Sequence, residues 1–263
     1  AINLVEALDF DIKFSEIVSI RKPSARAIIG KGKLDDIKAL VEEHELDVIF
    51  INYQLTPTHQ RNLEVDLDVK VLDRTGLILE IFSDRAKTKS GKLQVDLART
   101  IYEQSRLVRS WTHLERQRGG LGKTGGPGET QIEIDRRLLR DKVTKIENQL
   151  VEVERARVQH SKKSNDIKVV SLVGYTNAGK STIFNAITDA GTLSKDMLFA
   201  TLDPLMRHFT FPNGQEIVLS DTVGFISDLP HELVRSFKST LQEVLDSDLL
   251  LHIEDASSSQ YLQ

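Results

Sequence analysis

Cysteine is missing from all 263 residues. Its absence excludes a disulfide framework and any zinc or iron–sulfur site ligated by thiolates. Long apolar runs are missing too. None approaches the ~18 residues a membrane-spanning helix requires. The opening AINLVEALDFD has no secretory signal pattern, so a cytoplasmic setting without a membrane span is the expectation. What remains is an ordinary globular composition, with a hydrophobic share of 40% and a charged share of 28%. At this length it is expected to divide into two or three domains.

The net charge of −4 conceals a strong segregation. Residues 1–84 carry 10 Lys/Arg against 16 Asp/Glu, residues 85–163 carry 19 against 10, and residues 164–263 carry 6 against 13. A basic middle between acidic ends implies three functional segments, with a polyanion as partner of the middle one.

The N-terminal segment, residues 1–88, alternates short apolar runs with helical stretches. ArgAlaIleIle (26–29), ValIlePheIle (48–51) and ValLysValLeu (69–72) are expected as strands. Residues 34–44 are expected as an amphipathic helix, and a second helix opens at ThrPro (56–57), where proline suits a first turn. Such alternation predicts a small parallel sheet with helices packed on it. GKGK (30–33) lies between strand and helix and reads as a plain turn.

Residues 89–163 read differently. Leu93, Leu97, Ile101, Val108 and Trp111 share one helical face, and Leu139, Val143, Ile146, Leu150 and Val153 step by four and three along a second helix, about 131–162. Two long helices with one apolar stripe each are expected to pair as an antiparallel hairpin. Their connection, residues 119–128, packs six glycines into ten residues, flanked by Arg116, Arg118, Lys123, Arg136 and Arg137. A segment so glycine-rich cannot build a core and suits a tip that moulds to RNA phosphates.

The third segment, 164–263, returns to α/β texture. Strands are expected at 167–174, 207–211, 216–220 and 249–253, the last as a core strand. A turn at ProAsnGly joins the middle pair, and a helix is expected from 230 to near 246.

Two stretches contain Gly-Lys followed by a hydroxyl residue: GGLGKT (119–124) and GYTNAGKST (174–182). A phosphate-cradling loop needs Gly, four residues, then Gly-Lys-[Ser/Thr], between a strand and a helix. Gly174-Tyr175-Thr176-Asn177-Ala178-Gly179-Lys180-Ser181 meets every position, with Thr182 continuing into a helix. The earlier stretch has Gln117 where the leading glycine belongs, and a charged helix precedes it. Only the second is a nucleotide loop. Its amides and helix terminus favour phosphate. Lys180 would reach the β- and γ-phosphates, and the Ser181 hydroxyl would ligate Mg²⁺.

A hydrolytic nucleotide switch needs two further parts. Thr201, in Phe199-Ala200-Thr201-Leu202-Asp203, follows Ser181 by 20 residues, and Asp221-Thr222-Val223-Gly224 begins 20 residues later. Thr201 would ligate the metal, Asp221 would hold it through water, and the Gly224 amide would meet the γ-phosphate. Lys180, Thr201 and Gly224 are thus the catalytic candidates. Phe225 occupies the position where many such switches carry a water-orienting Gln, which predicts slow basal hydrolysis. No Asn-Lys-x-Asp base reader precedes Gln263, so the third segment reads as an incomplete G domain and the residues alone leave GTP and ATP both open.

GlyProGlyGluThrGlnIleGluIleAspArgArg (126–137), GYTNAGKST, PheAlaThrLeuAspPro and AspThrValGlyPhe together resemble the HflX family of ribosome-associated GTPases. The resemblance covers essentially the whole chain. It implies an N-terminal α/β domain, a helical hairpin and a P-loop GTPase domain, with GTP as substrate and Mg²⁺ as cofactor. It also implies large-ribosomal-subunit and rRNA binding and a stress-response role in splitting stalled or idle ribosomes. Separately, a monomer is the expectation. Asn177 matches a position used by potassium-dependent relatives, which adds K⁺ to the implied ions. Two readings stand beside it: a nucleotide-gated rRNA-binding adaptor, and an ATP-using RNA remodeller.

Overall fold

The structure is a computed structural model that describes residues 2–20, 24, 26–117, 131–161, 167–188, 198–199, 201–226, 229–237 and 244–257. The glycine-rich tip at 119–128 and Ala200 lie outside the described residues, as do the side chains of Val108, Trp111 and Arg116. The chain groups into two compact units. Unit 1 comprises Ala1–Glu80 and Arg99–Thr144, and unit 2 comprises Ile81–Ala98 and Lys145–Gln263. Each long helix is therefore divided between the units, where the sequence reading treated the helical pair as a segment of its own.

Unit 1 contains α1 (Ile2–Glu6), α2 (Lys31–His44), β1 (Val48–Ile51), α3 (Pro57–Leu67) and β2 (Lys70–Asp73), followed by most of α4 (Arg74–Arg85). β1 and β2 pair in parallel, Val48 opposite Lys70, with α3 as the crossover between them. Thr56 caps α3 by accepting the His59 amide at 3.2 Å, and Pro57 occupies the first turn as expected. The core joins Leu63 and Leu67 of α3 to Val71, Leu55, Ala27 and Ile28, with Leu34 and Ile37 of α2 packed against them.

The expected strand at 26–29 does not form. Ile28 has φ 62° and makes one isolated bridge with Ser24, so the apolar run folds into a turn. Ala27 and Ile28 are both buried, at 3% exposure. The pattern marked core correctly, but a left-handed residue cannot continue a strand. Helix α2 starts at Lys31, three residues before the expected start, and Lys33 is engaged by Glu16 at 2.6 Å.

Asp73, 1% exposed, closes β2 and is the polar centre of unit 1. Its Oδ1 accepts from the Gly76 amide and the Tyr102 hydroxyl, both at 2.8 Å. Its Oδ2 accepts from Arg106 at 2.6 Å and the Leu55 amide at 3.2 Å. Arg106 also lies 4.1 Å from the Tyr102 ring centroid and donates to Gln60, which itself donates to the Val71 carbonyl at 2.8 Å. Burial, then the Asp73 charge, push the Tyr102 phenol well above its ordinary range.

Helices α5 (Lys89–Gln117) and α6 (Gln131–Ser161) cover the two expected helical stretches. The proposed seam of α6 is its covered face: Val143 and Ile146 are buried, Leu139, Leu150 and Val153 half-buried, with Lys142, Lys145 and Asn148 exposed between them.

Unit 2 carries β3 (Lys168–Val173), α7 (Lys180–Thr188), β4 (Leu205–Thr210), β5 (Glu216–Asp221), α8 (His231–Ser236) and β6 (Leu249–His252). The sheet order is β4-β5-β3-β6, with β4 antiparallel to β5 and the other pairs parallel. Val170 and Leu172 of β3, Leu219 of β5 and Phe184 of α7 form its core. The ProAsnGly turn joins β4 to β5 as expected, closed by Gly214 donating to the Phe211 carbonyl at 2.8 Å.

β6 departs from expectation. It forms a strand, yet Leu249, Leu250 and Leu251 are 52%, 45% and 38% exposed. The strand order puts β6 at an edge of the sheet. Asp248 fixes its start through the Val169 backbone, accepting that amide at 2.9 Å and donating its own to the carbonyl at 2.9 Å. Among the described residues, backbone register fixes where this strand starts.

Replacing Arg106 by Met should leave a buried carboxylate without its counter-charge. The expected cost is about 3–5 kcal/mol in urea unfolding. An unchanged midpoint would mean that the three neutral donors suffice for Asp73.

Candidate functional site

The site grows from the C-terminal ends of β3 and β5, neighbours in the sheet, where an α/β unit exposes its loops. β3 runs into Gly174, whose φ is 149°. A Cβ there would stand 2.2 Å from the Ile253 carbonyl oxygen, so the first glycine is required by both conformation and space. The loop then passes Asn177 at φ 65° and Gly179 at φ 91° before α7 begins at Lys180.

The loop following β5 is stitched to this one. The Phe225 amide donates to the Gly174 carbonyl at 3.0 Å, and the Thr176 amide donates to the Phe225 carbonyl at 2.8 Å. Gly224 is where the two loops touch: a Cβ would fall 2.7 Å from the Thr176 Cα and 2.8 Å from its nitrogen. Phe225 therefore takes part through its backbone, and its ring is 40% exposed.

Lys180 is 6% exposed, and its ammonium donates to the carbonyls of Gly174 at 3.1 Å and Tyr175 at 2.6 Å. Ser181, one residue on, donates its hydroxyl to Asp221 Oδ2 at 2.6 Å. Thr201 donates to the same oxygen at 2.9 Å, and the two hydroxyls stand 3.0 Å apart. Three residues separated by steps of 20 in the chain thus meet on one carboxylate oxygen.

Asp221 is fully buried, and its Oδ1 has no hydrogen-bond partner among the described residues. Burial pushes its carboxyl above the usual range, opposed by the Ser181 and Thr201 hydroxyls and the Lys180 charge. Burial likewise lowers the Lys180 ammonium, opposed by Asp221. Hydroxyl and carboxylate oxygens of this kind suit a hard cation such as Mg²⁺, and the orphaned Oδ1 is the atom an ion-bound water would satisfy. Among the described residues no cluster of three or more His, Asp or Glu side chains could hold a metal alone. A cation here would complete its shell with ligand oxygens and water, as Mg²⁺ does on nucleotides.

The remaining sequence candidates divide. Thr176, Asn177, Ala178, Gly179 and Thr182 lie in the loop or the first turn of α7. Thr222 donates to the Leu172 carbonyl at 2.6 Å, tying the second loop to β3 with its side chain. Phe199 and Leu202 are 2% and 3% exposed, so their side chains anchor the segment around Thr201 in the core. Val223 is half-buried. The Asp203 carboxylate is turned away from the loop and accepts the amides of Lys87 and Thr88, each at 2.9 Å. The sequence reading missed Phe82, whose ring meets Phe199 edge-on at 4.7 Å. It also missed Thr88 and Gly91. A glycine in the first turn of a long helix was the available signal.

The raised Asp221 carboxyl sets the sign of a pH effect. The folded protein binds this proton more tightly than the unfolded chain, so its stability falls as pH rises through the interval between the two pKa values. Asp221→Asn should therefore be the more stable protein at neutral pH in the absence of nucleotide and metal. The difference should shrink as pH is lowered toward the ordinary carboxylate pKa of about 4. Thermal unfolding of the pair across that range checks it, and a pH-independent difference would contradict the burial cost.

Three family descriptions match the chain in succession: "GTP-binding GTPase N-terminal" over residues 1–83, "GTP-binding GTPase Middle Region" over 85–164, and "50S ribosome-binding GTPase" over 169–263. The protein named GTPase HflX from Magnetococcus marinus is 53% identical over 99% of this chain and 61% of its own length. The Escherichia coli protein of that name is 51% identical over 91% of this chain and 56% of its own. This chain therefore spans between half and two thirds of those relatives. Among solved structures, a Sulfolobus solfataricus GTP-binding protein in complex with GDP is similar, with a TM-score of 0.52 and 27% identity over 98% of this chain and 68% of that one. The complex of SsGBP with GDP aligns with a TM-score of 0.55 and 28% identity, over 98% and 69%. The chain belongs to the HflX family of GTPases.

Proposed function

We propose that this chain binds GTP with Mg²⁺ at the loop 174–182, hydrolyses it to GDP and phosphate, and uses the nucleotide state to control binding to the large ribosomal subunit. The carrying observation is the meeting of Ser181 and Thr201 on the buried Asp221 carboxylate beside Lys180. The match to a 50S ribosome-binding GTPase description and the GDP in the Sulfolobus relative support the nucleotide and the partner.

In this reading the amides of the loop and the start of α7 receive the phosphates, and Lys180 neutralises charge at the β- and γ-positions. Ser181 and Thr201 would hold the metal through their hydroxyls, with Asp221 behind them as the acceptor for its water shell. A bound Mg²⁺ supplies charge stabilisation to the transferring phosphoryl group. The Gly224 amide senses the γ-phosphate, and loss of that group releases the segments around Thr201 and Gly224. Phe225 cannot orient water by hydrogen bonding, so basal turnover is slow and the activating group comes from the partner. Potassium at Asn177 is a further element of the proposal. Equal rates in NaCl and KCl would remove it.

The basic stretch 85–163 contacts rRNA, and the glycine-rich turn at 119–128 is its probing tip. The protein works as a cytoplasmic monomer that dissociates or rescues ribosomes under stress. The segregation of charge also supports the second reading, a nucleotide-gated rRNA adaptor, because RNA binding through this stretch requires no hydrolysis.

Hydrolysis of GTP and of ATP, with and without purified large subunits, tests the proposal. GTP turnover should rise at least about 10-fold with subunits, as expected when a missing activating group is supplied, and ATP turnover should not. Lys180→Ala should abolish the stimulated rate. If that variant still splits ribosomes, the adaptor reading replaces the enzymatic one. Subunit binding should weaken steeply with salt.

A further inference from the structure

Thr201 is held by more than the carboxylate it touches. Two residues later the chain turns Asp203 onto the start of α5. Its Oδ2 accepts the Lys87 and Thr88 amides at 2.9 Å each, and its Oδ1 accepts the Thr88 hydroxyl. That hydroxyl accepts in turn from the Gly91 amide at 3.0 Å, while the Thr88 carbonyl takes the first α5 hydrogen bond, from Lys92, at 3.0 Å. Thr88 is the N-cap of α5, and Asp203 is a second, distant cap laid over it. A carboxylate there satisfies amides that a helix start leaves unpaired and faces the positive end of the helix dipole.

Gly91 makes the contact possible. Its backbone is ordinary helix, but a Cβ would stand 2.2 Å from Asp203 Oδ1 and 3.0 Å from Cγ. The carboxylate occupies the space a side chain at 91 would fill. On the other side of Thr201, Phe199 is buried against Phe82 of α4, which also meets Phe237 at 5.2 Å. The Thr201 hydroxyl is thus suspended between an aromatic anchor and a polar clasp. The partners of Asp203 lie 115 and 116 residues away in sequence. One of them opens a helix that continues unbroken to Gln117.

We propose that Asp203 is a positioning residue for the nucleotide site, its carboxylate clasped on Thr88 over Gly91 so that the Thr201 hydroxyl stays in register with Ser181 and Asp221. The clasp couples metal-dependent nucleotide binding to the first turn of α5. It rests on the reading of Thr201 as a metal ligand given above.

The test compares the intact protein with Asp203→Asn, Gly91→Ala, the double variant and Thr201→Ala. The readouts are GDP and GTP-analogue affinity in EDTA, the Mg²⁺ concentration for half-maximal GTP turnover, and hydrogen exchange at the first turn of α5. Asp203→Asn and Gly91→Ala should each raise the Mg²⁺ requirement about tenfold, the scale of one charge-assisted hydrogen bond. They should leave affinity in EDTA unchanged, because the 174–182 loop is untouched. The double variant should be no worse than either single, since both break one contact. The GTP analogue with Mg²⁺ should slow exchange at residues 88–92 in the parent and not in Gly91→Ala. An unchanged Mg²⁺ requirement in both singles, with Thr201→Ala strongly shifted, would overturn the clasp and leave the site reading standing. An unshifted Thr201→Ala would overturn both. Lower thermal stability with unaltered Mg²⁺ dependence would mark the contact as merely structural and likewise sink the proposal.

Discussion

A carboxylate in a dry place is the constraint around which unit 2 is arranged. Asp221 is fully buried, and its remaining oxygen is unsatisfied among the described residues. Burying such a group is unfavourable unless donors or cations converge on it. Here two hydroxyls from different pieces of chain donate to it, and the nearby Lys180 charge acts in the same sense. β5 ends at the carboxylate, α7 starts with Lys180 and Ser181, and the segment before β4 brings Thr201. The parallel pairing of β3 with β5 makes this convergence possible, because it opens both loops at one edge.

Asp73 in unit 1 provides the contrast. It is equally buried, yet four donors fill both its oxygens, Arg106 among them. Such a group is a structural knot with nothing left to offer a ligand. Asp221 keeps an oxygen in reserve. The same residue type is thus fully satisfied in one unit and left with an open oxygen in the other, and the difference lies in the donors that surround it.

Three glycines mark where backbone or carboxylate must come closer than a side chain allows. Gly174 meets the Ile253 carbonyl, Gly224 meets Thr176, and Gly91 meets Asp203. The first two lock the phosphate loop to its neighbours, and the third joins the Thr201 segment to α5. Only Gly174 combines this closeness with a positive φ, so a substitution there would face strain as well as collision.

Legible in the residues alone are the phosphate loop, the steps of 20 residues that join Ser181, Thr201 and Asp221, the apolar seam of α6 and the alternation of strands and helices. These are legible because each is encoded by local spacing: a strand–turn–helix junction, a 3.6-residue period, a glycine where the backbone must bend. Tertiary structure alone decided the rest. Ile28 reads as strand yet lies in a turn, because apolar pattern signals burial without fixing φ. Leu249 to Leu251 read as core, yet they stand exposed on the outer of the four described strands, because strand order is invisible in a single run of leucines. Asp203, a candidate of the nucleotide motif by sequence, reaches Thr88 across 115 residues. Contacts so distant in the chain leave no periodicity behind, and only the folded geometry brings their atoms together.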